Sequence, residues 1–213
     1  MSDAQWVVLF LLGAYHGVNP AMGWLFAVAL GLQERSTRAV AAAIVPIAIG
    51  HVASVAVIVF VALSAAKTLP HPAVRIIAAL LLIGFGVYRL ARTRHPRWVG
   101  MRVGFGGLIA WGFLMASAHG AGLMLLPFVV PASPIAMDAS MSMPMPTAPA
   151  SAGVGMGVSI VAVHSLGYLL VTTVVALVVY RWFGLKLLRT AWFNVDLVWS
   201  VALIAAGLFA LAT

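Results

Sequence analysis

Long apolar stretches occupy most of this chain and limit the folds that are open to it. Six of them are long enough to cross a bilayer, which takes about 20 apolar residues in a helix. They lie at residues 6–32, 39–63, 72–91, 103–130, 154–180 and 193–212. Hydrophobic residues make up 64% of the chain and charged residues 8%, so the polar surface is too small to cover a water-soluble domain. The sequence therefore predicts an all-α, polytopic integral membrane protein with one transmembrane domain over residues 1–213.

The distribution of positive charge predicts the orientation of the six helices. Of the 12 Lys and Arg residues, only Lys67 and Arg75 fall on the side of the loops that follow the second and fourth spans. The others cluster around the loops after the first, third and fifth spans. Because cytoplasmic loops are enriched in Lys and Arg, both termini are expected on the external, periplasmic side of a bacterial inner membrane. The lipid bilayer is the predicted surrounding, and no nucleic-acid partner is indicated.

Two of the spans carry signals for a break, and one external loop has an unusual composition. The first span contains Gly17 and the pair Asn19-Pro20, and Pro interrupts a helix because it lacks a backbone N–H. A second break is expected around Gly120 in the fourth span. The segment 131–153 is rich in Met and Pro and lacks periodicity, which predicts a flexible external loop.

The chain also contains two similar halves. FLLGAYHG in the first span resembles FLMASAHG in the fourth, which aligns His16 with His119. IGHVASV in the second span and VHSLGYL in the fifth align His51 with His164. Residues 1–92 and 103–213 would each contribute three spans, and an odd number of spans inverts the second copy. Inverted repeats of this kind are common in transporters, with the substrate site near the bilayer midplane.

The four aligned histidines are the candidate site. His16, His51, His119 and His164 all fall near the middle of a span, where a polar side chain is costly unless it faces the protein interior. Imidazole is a common ligand of Ni, Co, Zn, Cu and Fe and is also a proton carrier. We therefore expect a small transporter or permease for a transition-metal cation, and not an enzyme. Neighbours expected to line the pathway or support the histidines are Asn19, Ser54, Ser165, Tyr168 and Asp196, with Pro20, Gly17 and Gly120 at the helix breaks.

Four sequence segments resemble a known family. HGVNPAMGW, the basic turn QERSTRA and then IGHVASV resemble the first half of the NicO, HupE and UreH-type nickel and cobalt transporters of the lysine-exporter superfamily. AHGAGLMLL resembles the start of the second half of UreH-like members. The resemblance implies metal transport, with His16 and His51 matching the motif histidines. Asn19, Ala21 and Met22 stand where the family motif has its acidic residues and its second His.

Other functions remain open on the sequence alone. The histidines are also compatible with proton coupling in an exporter of a small organic solute, with a haem- or metal-binding membrane oxidoreductase, or with packing in an assembly subunit. The absence of Cys excludes thiolate metal sites and dithiol redox chemistry. A homo-oligomer or a partner subunit is compatible with all of these functions.

Overall fold

The computed structural model is built of helices. It describes residues 1–91, 104–129 and 150–183, together with 201, 203–205, 207, 208 and 211. The α-helices are α1 (Asp3–Val18), α2 (Trp24–Glu34), α3 (Thr37–Thr68), α4 (His71–Ala91), α5 (Phe105–Ala118), α6 (Leu126–Val129) and α7 (Ala150–Val178). Short 3₁₀ turns cover Pro20–Met22 and Leu123–Leu125, and a π-helical turn over Val179–Phe183 extends α7. No strand occurs within these ranges.

Several helices are apolar and long enough to belong to a membrane. By length and composition, Thr37–Thr68 and Gly153–Phe183 can each cross a bilayer. Phe105–Ala118 and Leu123–Val129 form a third span if they are taken together, with a bend of 52° between them. The prediction of an all-helical protein is thereby confirmed for the described residues, and these apolar helices are compatible with the predicted membrane location. Asp196 and residues 131–149 of the predicted loop lie outside the described residues, as does the sixth predicted span apart from isolated positions such as Leu203. The prediction of a loop is wrong for residues 150–153, which form the first turn of α7.

The first predicted span is divided into two helices at Asn19-Pro20, where the sequence predicted a break. Asn19 has an extended backbone with φ −66° and ψ 121°, as expected for a residue that precedes Pro. Its side-chain Oδ1 accepts a hydrogen bond from the N–H of Ala21 at 3.0 Å, which closes the turn. Gly23 then adopts φ 119°, in the left-handed region that favours glycine, and the chain turns into α2. Residues 6–32 therefore contain two helices separated by a short irregular segment, which we call the break (residues 19–23).

The second predicted break is also present. α5 ends at Ala118, and Gly120 has φ 69°, which bends the chain before the turn at Leu123–Leu125. Gly17 differs, because it lies inside the last turn of α1 and not in the irregular segment. Gly17 allows α1 to approach α7 closely, since a Cβ at Gly17 would lie 2.7 Å from the carbonyl oxygen of Tyr168. α1 and α7 are in this way packed backbone to backbone.

The interior is mostly apolar but also contains buried polar side chains, and large apolar side chains lie on the outer surface. The most extensive helix contacts join α1 to α7 and α3 to α5, and α3 also contacts α7 and α2. Large apolar side chains such as Leu11, Val61 and Leu166 are more than half exposed on the outer surface. The buried polar side chains among the described residues are His16, Asn19, His51, Ser54, His119, His164 and Thr172. This distribution is expected in lipid, where polar side chains turn toward the protein interior.

Candidate functional site

Three histidines from three helices meet in the interior. His16 lies in the last turn of α1, His51 in the middle of α3 and His164 in the middle of α7, and all three have no exposed surface. The ring centroids are 5.0 Å apart for His16 and His164, 5.6 Å for His51 and His164, and 5.9 Å for His16 and His51. We call these three residues the histidine triangle. It lies directly before the break, because Asn19 is three residues beyond His16.

His119 is buried as well, at the end of a fourth helix, α5. It caps the C-terminal end of α5, where its Nδ1 is 2.8 Å from the carbonyl oxygen of Met115. It is near enough to His16 for an electrostatic interaction between the two side chains. The structure therefore brings together three of the four predicted histidines and places the fourth beside them.

The hydrogen bonds of His16 define which ring nitrogen can act as a ligand. Its Nδ1 is 2.9 Å from the carbonyl oxygen of Leu12. Since a carbonyl oxygen only accepts, Nδ1 carries the proton and, in the neutral ring, Nε2 carries the lone pair. A histidine that ligates a metal is commonly held in this way, with its other ring nitrogen donating to a backbone carbonyl. His119 has the same arrangement.

His51 and His164, the other two members of the triangle, have fewer hydrogen bonds to fix their rings than His16 has. Both ring nitrogens of His51 are buried and have no hydrogen-bond partner, and the same is true of His164, although the backbone of Leu9 interacts with that ring. Buried polar atoms are nearly always paired, so such atoms call for an explanation. Within the described ranges, no group of three His, Asp or Glu side chains is arranged to hold a metal ion as it stands. One or more rings would have to turn to converge on a single ion.

Tyr168 connects the triangle to the break. Its ring stacks on His51 with a centroid distance of 3.7 Å and an interplanar angle of 9°. Its hydroxyl donates a hydrogen bond to the carbonyl oxygen of Met22 at 2.7 Å. One side chain of α7 thus contacts the histidine of α3 with its face and the irregular backbone between α1 and α2 with its tip.

Two tryptophans satisfy further carbonyl groups around the break. Trp24 Nε1 donates to the carbonyl oxygen of Val18 at 3.0 Å, and Trp111 Nε1 donates to that of Ala21 at 3.1 Å. These carbonyls lose helical partners where α1 ends, and a lipid environment offers them none. Trp24, Trp111 and Met22 were not among the site residues predicted from the sequence. An indole in a span next to a Pro-containing break is the signal that could have suggested them.

The remaining predicted residues have different surroundings. Ser54 Oγ is 2.8 Å from Ser117 Oγ, which makes it part of the contact between α3 and α5. Ser165 Oγ and Asn19 Nδ2 are buried without a hydrogen-bond partner. Thr172, which was not predicted, donates to the carbonyl oxygen of Gly17 at 3.4 Å and links α7 to the end of α1.

Comparisons with known proteins add no relative. No protein-family model, no curated protein and no solved structure matches the chain.

Proposed function

We propose that this protein is a small membrane transporter that moves a transition-metal cation, of Ni, Co, Zn, Cu or Fe, past the histidine triangle. The observation that carries the proposal is the meeting of His16, His51 and His164 in the interior of an apolar helical protein. Burying one imidazole in a membrane is costly. Burying three side by side, with His51 making no hydrogen bond at all, is difficult to explain by packing and is explained by a ligand that they share.

The spacing of the three rings supports a shared cation. Metal–nitrogen bonds to His are about 2.0–2.1 Å, and the ring centroid lies roughly 1.1 Å beyond the nitrogen, so three imidazoles around one ion have centroids about 5–5.5 Å apart. The triangle has centroid distances of 5.0, 5.6 and 5.9 Å. The rings therefore need to turn, and to move by a few tenths of an ångström, without any helix being displaced.

The proposal includes six spans arranged as two inverted repeats. In such a repeat, α1 corresponds to α5 and α3 corresponds to α7, so the contact of α1 with α7 should have a counterpart between α5 and α3. Those two helix pairs make the most extensive contacts among the described helices. The breaks after α1 and after α5 are counterparts as well.

Individual contacts support the same repeat. His16 Nδ1 bonds the carbonyl of Leu12, four residues earlier, and His119 Nδ1 bonds that of Met115, also four residues earlier. Small residues occupy the two crossings at corresponding positions. Ser54, three residues after His51, contacts Ser117 of α5. At the corresponding position of α7, three residues after His164, lies Gly167, and a Cβ there would lie 3.0 Å from the backbone nitrogen of Ala14 in α1.

Irregular backbone at membrane depth is typical of a transporter binding site. It is tolerated only where it is buried or lines a cavity, and discontinuous helices near the midplane commonly form substrate sites. The break begins three residues after His16, and the resemblance to nickel and cobalt transporters rests on this same segment. A location in a bacterial inner membrane, with both termini external, is part of the proposal.

One observation favours a second candidate, the export of a small organic solute. Asn19 Nδ2 is buried without a hydrogen-bond partner, and an amide donor is not satisfied by a cation. A solute with acceptor oxygens would satisfy it and could also pair with the histidines. Transport of organic solutes with no transport of metals would favour this candidate.

The direct test is transport by the purified protein in liposomes that contain a metal-sensitive fluorophore. Ni²⁺, Co²⁺, Zn²⁺, Cu⁺ and Fe²⁺ are offered one at a time. We expect flux of at least one ion, and a reduction of about tenfold or more when His16, His51 and His164 are all replaced by Ala. Thr173→Val is the matched control, because Thr173 lies on α7 but is only partly buried and bonds to the Leu169 carbonyl of its own helix. Equal flux with the parent and the triple variant for every ion would contradict the proposal.

A further inference from the structure

The second feature of the site is the contact between the triangle and the break. We propose that Tyr168 is a positioning residue that couples the orientation of the His51 ring to the closure of the break, so that turning His51 toward the triangle centre releases the backbone at Met22. This inference rests on the proposed function for its purpose, but the coupling itself is a property of His51, Tyr168 and Met22 and can be tested without any metal.

The first step concerns His51. Its ring makes no hydrogen bond, and its closest aromatic contact is the Tyr168 ring at a centroid distance of 3.7 Å. A face-to-face contact at this distance fixes the plane of both rings. Because the three histidines do not converge on one ion as they stand, binding requires a ring to turn. His51 has no hydrogen bond to lose, so its turning is resisted by packing, in which the stack with Tyr168 is the closest ring contact.

The second step concerns the far end of Tyr168. The hydroxyl donates to the Met22 carbonyl at 2.7 Å, a short distance for such a bond. Met22 is 1% exposed and ends the 3₁₀ turn inside the break. A Tyr side chain is rigid beyond its two torsions, so a tilt of the ring face moves the hydroxyl away from its acceptor. Movement at His51 therefore reaches the break through a single side chain.

The third step is that the break has separate supports. Trp24 and Trp111 hold the carbonyls of Val18 and Ala21, and neither bond involves His51. Loss of the Tyr168 bond thus opens the break locally without unfolding it. Trp24 provides a matched control, because it donates to the same segment but is not stacked on a histidine of the triangle.

The test uses a single reporter thiol. The chain has no Cys, so Met22→Cys introduces the only thiol and leaves the backbone acceptor in place. The rate at which a small maleimide labels this buried position in the detergent-solubilised protein measures local opening. Tyr168→Phe keeps the aromatic face and removes the hydroxyl, and we expect it to raise the labelling rate by about two- to tenfold.

Coupling is measured with a double-mutant cycle. His51→Leu should also raise the labelling rate, and combining it with Tyr168→Phe should give no more than the larger single effect, because both act on one chain of contacts. Trp24→Phe should raise the rate too, but its effect should multiply with that of His51→Leu. If His51→Leu is not monodisperse, His51→Asn replaces it. An unchanged rate in Tyr168→Phe would overturn the proposal, as would multiplicative effects of His51→Leu and Tyr168→Phe.

A metal arm separates this inference from the proposed function. Ni²⁺ and Co²⁺ are added to Met22→Cys with Tyr168 present and with Tyr168→Phe. We expect the metal to speed labelling when Tyr168 is present and to cause no further increase in Tyr168→Phe. Shielding of the thiol by bound metal would lower the labelling rate, so it cannot produce the same result. An equal further increase in both proteins would overturn the coupling. If equilibrium dialysis finds no binding of any candidate ion, the proposed function fails, and the metal-free cycle still decides the coupling.

Discussion

At the scale of single residues, the four buried histidines are not equivalent. His16 and His119 each bond a carbonyl of their own helix, whereas His51 and His164 leave both ring nitrogens without hydrogen-bond partners. His16, His51 and His164 also make ring contacts with one another. The structure thus groups His16, His51 and His164 as the candidate ligands.

This difference predicts a graded response to substitution. Replacing His16, His51 or His164 by Ala should each weaken metal binding by about tenfold or more, because each removes a candidate ligand. His119→Ala should weaken binding less, since its ring lies outside the triangle. Isothermal titration of the four variants with the transported ion measures the four affinities. A larger loss for His119→Ala than for the other three would contradict the assignment of ligands.

A second residue-scale prediction concerns the stability of the break. Trp24→Phe removes the donor to the end of α1 and leaves the partly buried Val18 carbonyl without this partner, which should lower the free energy of unfolding by about 1 kcal/mol. Trp182→Phe is the control, because Trp182 is 81% exposed. Thermal unfolding in detergent measures both. Equal melting temperatures for the two variants would show that the indole hydrogen bond is not needed.

Some residues of the site could be predicted from the sequence and others could not, for physical reasons. The histidines were predictable because a polar residue in the middle of an apolar span has few explanations. Tyr168 was predictable as a neighbour, since it is one helical turn from His164. Its bond to Met22 was not, because it joins residues 146 positions apart and depends on how α7 packs on the break. Trp111 was missed because an indole in a span is usually apolar packing or an interface anchor.

At the scale of helices, close packing depends on glycines at the crossings. A Cβ at Gly13 would collide with the His164 carbonyl in α7, and one at Gly50 would collide with the Ile109 carbonyl in α5. Small residues of this kind allow helix backbones to approach in membranes. The crossing of α1 and α7 is also the contact that brings His16 and His164 together. Packing at the glycines therefore determines the geometry of the triangle.

The element-scale prediction follows from that crossing. Gly13→Ala should destabilise the protein by about 1–3 kcal/mol, because the new methyl group meets backbone that cannot move aside. It should also weaken metal binding by separating His16 from His164. Gly84→Ala is the matched control, since a Cβ at this position in α4 meets nothing within 4 Å. If the two variants gave the same unfolding and binding curves, close packing of α1 on α7 at Gly13 would be contradicted.

The helix boundaries show what local signals can determine. Pro20 ended a helix as predicted because Asn19 before it takes an extended conformation. Pro46 lies inside α3 and does not end it. Both are prolines within apolar stretches, but Gly23 follows Pro20 and supplies the left-handed turn, whereas the residues after Pro46 continue the helix. A proline alone therefore does not predict a break, and the neighbouring glycine does.

At the scale of the whole molecule, the topology is the prediction that most needs an experiment. α3 has 32 residues and is about 48 Å long at 1.5 Å per residue, so its two ends can emerge on opposite sides of a bilayer core of about 30 Å. Glu34 and Lys67 are exposed near these ends. The charge distribution predicts Lys67 outside and Glu34 inside.

Single-thiol variants test this topology, since the chain has no Cys. A membrane-impermeant maleimide applied to intact spheroplasts should label Ser2→Cys and Lys67→Cys, and should label Glu34→Cys only after permeabilisation. The reverse pattern would invert the orientation. Labelling of Glu34→Cys and Lys67→Cys from the same side would contradict a spanning α3 and with it the inverted repeat.

The most direct measurement of the histidine triangle as a cation site is elemental analysis of the purified, detergent-solubilised protein after loading with each candidate ion and removal of the excess. The protein is compared with a variant in which His16, His51 and His164 are all replaced by Ala, and with Thr173→Val. We expect close to one metal ion per chain in the parent and in Thr173→Val, and almost none in the triple variant. No retained metal in the parent for any ion, or the same metal content in the triple variant, would contradict a cation pathway through these histidines.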